Sequence, residues 1–379
     1  MYRPTGRSMQ ESQTMRFFRR IMFVIIAILI ITNISAQEDR DSLVALPFVA
    51  YIPDTSLMIG ATAVYVVRPE DRTEADIPDT YQVVGFYTLK KQIQFAFIAS
   101  NFLSHGFVNN VFTTSFSKFN SVYYIDGMSD DQGEDYIPIS YSFEDKFRLR
   151  LLRYVYAGPM FHYKSYRVDE YEENGYVDNS TIYGVKKSRV SAPGINVVFD
   201  NRDDTFYPTR GIFTEIIYLQ NSEVVGATEN SQCFEINAAT FFNLYSKRYI
   251  LGFHGRSVIQ GGDVPYDMYA GIGGDKILRG YLNDRYKGRN MYALQTELRF
   301  PFFFWDNTRF LKRLSAVVFV GAGSVSNDVT KLTTTKLHYA AGAGLRFALS
   351  DREKINLRLD FTRNREGNSE VYFQIMEAF

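Results

Sequence analysis

Along most of the chain, apolar and polar residues alternate with a period of two, as in strands with one face in an apolar phase. Over residues 136–151, Ile137, Ile139, Tyr141, Phe143, Phe147, Leu149 and Leu151 alternate with Pro138, Ser140, Ser142, Glu144, Lys146, Arg148 and Arg150. Over 356–362, Leu357, Leu359 and Phe361 face away from Asn356, Arg358, Asp360 and Thr362. Over 291–301, Gln295, Glu297 and Arg299 oppose Leu294, Leu298 and Phe300. The pattern predicts sixteen strands: 43–51, 57–67, 81–89, 92–101, 107–118, 136–151, 153–168, 189–200, 211–222, 231–245, 248–259, 291–301, 313–324, 337–348, 353–364 and 370–379.

Strand length separates a soluble sandwich from a membrane barrel. Sandwich strands average about 5–6 residues, whereas about 9–11 are needed to cross a bilayer at a tilt, and many of these reach that length. An Arg or Lys facing lipid costs about 2–4 kcal/mol at the midplane, which assigns Lys146, Arg148 and Arg150 to a wet lumen. The gaps 119–135, 169–188, 260–290 and 325–336 follow odd-numbered strands, and the shorter 246–247, 302–312 and 349–352 follow even-numbered ones. Long extracellular loops alternating with short periplasmic turns give this rhythm. The long 68–80 gap breaks it. Trp305 beside Phe302, Phe303 and Phe304 is expected in an aromatic girdle. The fold class is all-β: a 16-stranded antiparallel transmembrane β-barrel.

Composition narrows the picture. The 42 Lys+Arg balance 42 Asp+Glu, which argues against a nucleic-acid partner. Arg16, Arg19 and Arg20 precede an apolar run at 21–31, followed by Ser35 and Ala36, so residues 1–36 read as a cleaved secretory signal. Its removal takes five Arg and one Glu and leaves 37 basic against 41 acidic residues, a net of −4. Residues 37–42 become a short periplasmic segment and 43–379 the barrel, in the outer membrane of a Gram-negative bacterium and in contact with its lipids. A single Cys233 excludes internal disulfides and a thiolate zinc cage.

Candidate catalytic chemistry is thin. His105, His162, His254 and His338 are scattered without metal-ligand spacing; His162 and His254 are expected to face the lumen as ordinary polar residues. The 321–323 and 342–344 Gly-Ala-Gly triplets are packing glycines within strands. No catalytic residue, metal or cofactor is assigned, and the chain is not read as an enzyme.

Three motifs carry a resemblance. Residues 271–281 read GIGGDKILRGY, 200–211 read DNRDDTFYPTRG and 296–301 read TELRFP. Together with the strand count they resemble the BamA/TamA outer-membrane assembly superfamily, also called the bacterial surface antigen family. The resemblance covers about 43–379 and is densest from 190 onward. It implies a sixth extracellular loop folded back into the lumen and carrying Leu278, Arg279, Gly280 and Tyr281. It further implies that Glu297 is the lumenal partner of Arg279. The periplasmic turn motif comprises Asp200, Arg202, Asp203, Pro208, Thr209, Arg210 and Gly211, and Phe379 resembles the C-terminal signal of barrel clients. Gly321 stands where relatives carry an acidic residue, so Asp360 or Asp275 is expected to replace it. Between residue 37 and the first strand there is no room for POTRA modules, so this looks like a POTRA-less member whose client capture falls to a separate periplasmic partner. The short first strand with Pro47 suggests a weak seam with the last, one that either opens laterally or merely frays. Two functions stand side by side: aid to the insertion or transport of proteins or lipids, and a passive pore or structural barrel.

Overall fold

The computed structural model describes residues 41–52, 56–68, 77–124, 133–245, 249–301, 313–350 and 354–379. The signal segment 1–36 and the girdle residues 302–305 lie outside them. The first strands are β1 (Ser42–Ile52), β2 (Ser56–Val67), β3 (Asp79–Thr88), β4 (Ile93–Leu103) and β5 (Val108–Lys118). A short β6 (Ser121–Tyr124) is followed by β7 (Gly133–Leu152), β8 (Val155–Glu170), β9 (Lys187–Asp200) and β10 (Gly211–Asn221). Next come β11 (Ser231–Leu244), β12 (Tyr249–Gly262), β13 (Ala270–Ile272), β14 (Tyr286–Gly288), β15 (Asn290–Pro301) and β16 (Leu314–Ser326). The last are β17 (His338–Ser350), β18 (Ile355–Asn364) and β19 (Ser369–Ile375).

Sixteen of these are the long strands expected from the alternation, each paired antiparallel with its neighbour in sequence. The series runs from β1 to β19 and forms a 16-stranded antiparallel barrel. The strand β6 was not expected; it pairs with the first residues of β7 and prolongs that hairpin beyond the wall. Strands β13 and β14 pair only with each other and belong to the loop after β12.

The alternation sorts the side chains as the energetics requires. Lys146 and Arg148 turn inward, where both bond Glu215, at 3.1 and 2.7 Å. On the opposite register, Tyr141, Phe147, Leu149 and Leu151 are exposed to the bilayer. With no water in the hydrocarbon, strand backbone groups must be satisfied by neighbouring strands, and the antiparallel pairings between consecutive wall strands from β1 to β19 supply those partners. The largest buried apolar cluster joins Ile272, Ile277, Leu278 and Tyr281 of the loop to Met291, Ala293 and Ala340 of the wall.

One expected strand is corrected. Residues 370–379 do not run straight to the chain end, because β19 stops at Ile375. Met376 takes a left-handed φ of +71° and donates its N–H to Asn356 O at 2.8 Å. The tail thereby leaves the wall and turns inward. Phe379 therefore does not share the outward face of Val371 and Phe373; its ring stacks on lumenal His254 and Phe241, at 4.8 and 5.7 Å.

Candidate functional site in the lumen

The loop between β12 and β15 folds back into the barrel, and its tip is held mainly through backbone groups. Gly280 has φ +128°, and a Cβ there would lie 2.7 Å from the Ala340 Cβ, so only glycine fits this close approach. The Gly280 N–H donates to the Tyr372 hydroxyl at 3.0 Å, and that hydroxyl donates to Tyr281 O at 2.6 Å. Asn364 Nδ2 donates to Gly280 O at 2.8 Å, and Tyr281 donates its hydroxyl to Tyr339 O at 3.0 Å. Gln295 Nε2 reaches Lys276 O at 2.6 Å. Leu278, with φ +55°, is completely buried against the wall.

This backbone places Arg279 between two carboxylates. Its Nη2 donates to Glu297 Oε2 at 2.5 Å and its Nη1 to Asp360 Oδ2 at 2.7 Å. All three side chains are fully buried. The guanidinium also lies 3.5 Å from the centroid of the Phe319 ring, a cation–π contact in a desolvated place. Gly321 supplies no acid; a Cβ there would come within 3.3 Å of the Leu278 side chain, so the position leaves room for the loop. Asp360 stands as the second carboxylate of Arg279. Asp275 instead pairs with Arg358, at 3.2 Å.

The pair sits inside a larger cluster. Arg299 donates Nε to Glu297 Oε1 at 2.6 Å. Arg346 donates Nη1 to Asp360 Oδ1 at 2.6 Å and Nε to Glu377 Oε2 at 2.7 Å, and Asn356 Nδ2 bonds the other Glu377 oxygen at 2.9 Å. Arg279, Arg299, Arg346 and Arg358 thus face Glu297, Asp360, Glu377 and Asp275, four charges against four. A buried ion is tolerated only when it is paired, and each of the four arginines has a carboxylate partner within the cluster. Gly344 is part of this fit, because any side chain there would collide with Asp360. The involvement of Arg346, Glu377 and Tyr372 was not anticipated, although Arg346 and Tyr372 occupy the lumenal register of their strands.

The turn 201–210 reaches across the periplasmic mouth. Arg202 grips Asp200 with two bonds, at 2.9 and 2.7 Å, and stacks over Phe213 at 4.6 Å. Asp203 accepts from Thr209 N at 2.9 Å, Thr209 Oγ1 at 2.6 Å and Arg210 N at 3.2 Å. Burial alone would raise the Asp203 carboxyl, but the bonds from Thr209 and Arg210 hold it below the usual carboxylate range. Gly211, at φ +109°, ends the turn. The stiffened turn carries Phe206 against Val64, Val66 and Ile355 on distant strands, and Asp204 to Lys354 at 2.9 Å. Pro208 O accepts from Arg299 at 3.4 Å, and Arg299 also donates to the main-chain oxygen of Phe379 at 3.0 Å. Arg299 therefore joins turn, tail and loop partner at one residue.

His162 and His254 both face the lumen, beside Glu144 (3.4 Å) and Asn237 (2.7 Å). Among the described residues no group of His, Cys, Asp and Glu has the arrangement of a metal site. The geometry is that of a loop held in the lumen.

A family model described as the Omp85 superfamily domain matches residues 82–379. The chain belongs to the Omp85 superfamily. Among solved structures, BamA from Haemophilus ducreyi lacking POTRA domains 1–3 is similar, with a TM-score of 0.58 at 14% identity over 90% of this chain and 70% of that one. CdiB from Escherichia coli gives 0.58 at 12% identity, over 90% of this chain and 63% of its own length. CdiB from Acinetobacter baumannii gives 0.55 at 12% identity, over 90% and 60%. The chain thus spans less than two thirds of either CdiB, and likeness at this identity speaks for the fold alone. A search of curated proteins found no match. Superfamily membership makes this an outer-membrane β-barrel of a Gram-negative bacterium.

Proposed function

We propose that this Omp85 barrel aids the insertion or transport of proteins or lipids at the outer membrane, together with a separate periplasmic partner that supplies client capture. The carrying observation is the loop held in the lumen by Arg279 between Glu297 and Asp360, at 2.5 and 2.7 Å. A passive diffusion pore gains nothing from filling its own channel. Here the loop occupies the lumen from one side, while the turn around Phe206 and the tail ending in Phe379 occupy the mouth from the other. Leu278, Arg279, Gly280 and Tyr281 act as the lock in this reading and Glu297 as its receptor. Asp200, Arg202, Asp203, Pro208, Thr209, Arg210 and Gly211 shape the periplasmic closure.

Quantitative proteomics and lipid analysis of outer membranes from a deletion strain test the proposal. Selective loss of particular barrels or lipids, restored by the wild-type chain but not by a folded Arg279→Ala barrel, is the expected result. An unchanged membrane overturns it. High steady conductance of the purified wild-type barrel would point to a pore instead.

A further inference from the structure

Among the described residues of β7, one charge lies midway across the outer wall and is used by neither the lock nor the mouth. Asp145 lies between Glu144 and Lys146, which turn into the lumen, so the alternation directs it to the bilayer. Its neighbours on that register of β7 are Tyr141, Phe143, Phe147 and Leu149. Across the ladders it stands opposite Phe112 and Phe161. Phe112 is near the middle of β5, so the carboxylate sits at mid-membrane depth. Asn110 of β5, also outward, donates Nδ2 to Asp145 Oδ1 at 2.6 Å. Asn110 is the register partner of Asn101 on β4, whose side chain accepts from the Tyr81 hydroxyl of β3 at 2.7 Å. A polar track thus crosses four neighbouring strands and ends in a carboxylate. Charged residues elsewhere on the outward face of β5, β8 and β9, among them Lys118, Arg167, Asp169, Lys187 and Arg189, lie towards the extracellular strand ends.

An ionisable group at mid-membrane depth is expensive against acyl chains, and such residues normally have a function and a partner. Asn110 meets one oxygen of the carboxylate and neutralises no charge. We infer that the outer face of β4, β5 and β7 around Asp145 is a docking surface for a different membrane protein whose apolar segment carries a cationic side chain at mid-bilayer depth. Charge complementarity selects this occupant. A second copy packed face to face would set Asp145 against Asp145, and among the described residues the outward mid-strand positions offer no Lys or Arg to answer it. Anionic lipid headgroups are excluded by sign and by depth. The surface acts sideways in the bilayer and is independent of the periplasmic partner proposed above.

The test uses the full barrel in phospholipid vesicles with synthetic Leu/Ala transmembrane helices bearing one central Lys, Glu or Leu, and association is read by energy transfer. Wild type should bind the Lys helix roughly three- to thirtyfold better than the Leu or Glu helix, the range set by polar contacts between membrane segments. Asp145→Leu should abolish the preference, and Asn110→Leu should weaken it. The Asp145→Leu barrel should also resist urea at least as well as wild type, since a lipid-facing charge is removed. Equal binding of the three helices, or of the Lys helix to wild type and Asp145→Leu, overturns the inference. So does a marked loss of urea resistance in Asp145→Leu, which would make the Asn110–Asp145 pair a structural strut of the wall.

Discussion

Glu297→Gln is the sharpest perturbation of the lumen, because it removes one charge and little volume. Glu297 receives bonds from Arg279 at 2.5 Å and Arg299 at 2.6 Å, and Arg346 lies 3.9 Å away. After substitution, four arginines face three carboxylates, and the amide turns N–H donors towards guanidinium groups. Breaking a buried pair by removing one partner costs about 3–5 kcal/mol, the loss expected here. Arg279→Met should cost less, because Glu297 keeps Arg299 and Asp360 keeps Arg346. The double variant restores parity, three charges against three, so its loss should fall short of the summed single losses by about 2 kcal/mol, within the range for residues in contact. Urea titration of barrels refolded in phospholipid vesicles, read by the mobility of unheated samples in SDS gels, measures all four proteins. Because the pair is buried, raising the salt concentration should change this coupling little. Additivity of the two substitutions within about 0.5 kcal/mol would refute the claim that the pair holds the loop.

Three further outcomes test separate parts of the design. Tyr372→Phe deletes the hydroxyl that bonds Gly280 N and Tyr281 O, and at about 1–3 kcal/mol should free the loop tip to added protease while the unheated gel band stays folded. Gly280→Ala forces a left-handed residue into Ala340 and should lower the yield of folded barrel more than Tyr372→Phe does, as read on the same gels. The Asp203 carboxyl has a depressed folded-state pKa, so its stabilisation is full above the unfolded value of about 4 and lost as pH falls through the folded one. Acidification across that window should loosen the 201–210 turn in hydrogen exchange corrected for intrinsic rate, and Asp203→Asn should be loose throughout.

Much of the barrel was readable because a bilayer enforces the alternation that marks its strands. Lys146 and Arg148 could be assigned to the lumen from the cost of the alternative, and they lie there. The Arg279–Glu297 contact was expected from the resemblance of the loop motif. Its surroundings could not be read so far, since pairing Arg346 with Asp360 and Glu377 depends on two strands and the inturned tail meeting at one point. Gly344 shows why: its role exists only because Asp360 comes to lie beside it. The tail misled for a local reason. Val371, Phe373 and Ile375 continue an apolar register to which Phe379 also belongs, and nothing in that pattern announces the left-handed turn at Met376. Asp145 was passed over, although it is the one charge among the apolar residues that alternate over 137–151.

The position of Arg299 bears on how such a barrel could act. It holds Glu297 with Nε, Pro208 O and the Phe379 oxygen with its two other nitrogens, and lies among the rings of Tyr207, Phe241 and Phe379 at 5.1, 5.3 and 5.7 Å. The loop that enters from outside and the turn and tail that close the mouth therefore share one buried ion. Withdrawal of Arg279 would leave Glu297 to Arg299 and Arg346 and change the charge that holds the tail through Arg346 and Glu377. Opening at one end is in this way coupled to the other. Moving a two-state equilibrium from 1:99 to 99:1 takes about 5.5 kcal/mol of differential binding, comparable with the loss of one buried pair. Thermal fluctuation alone would leave the lumen filled nearly all the time. On the reading proposed above, a periplasmic partner that prefers the opened mouth would supply such a difference.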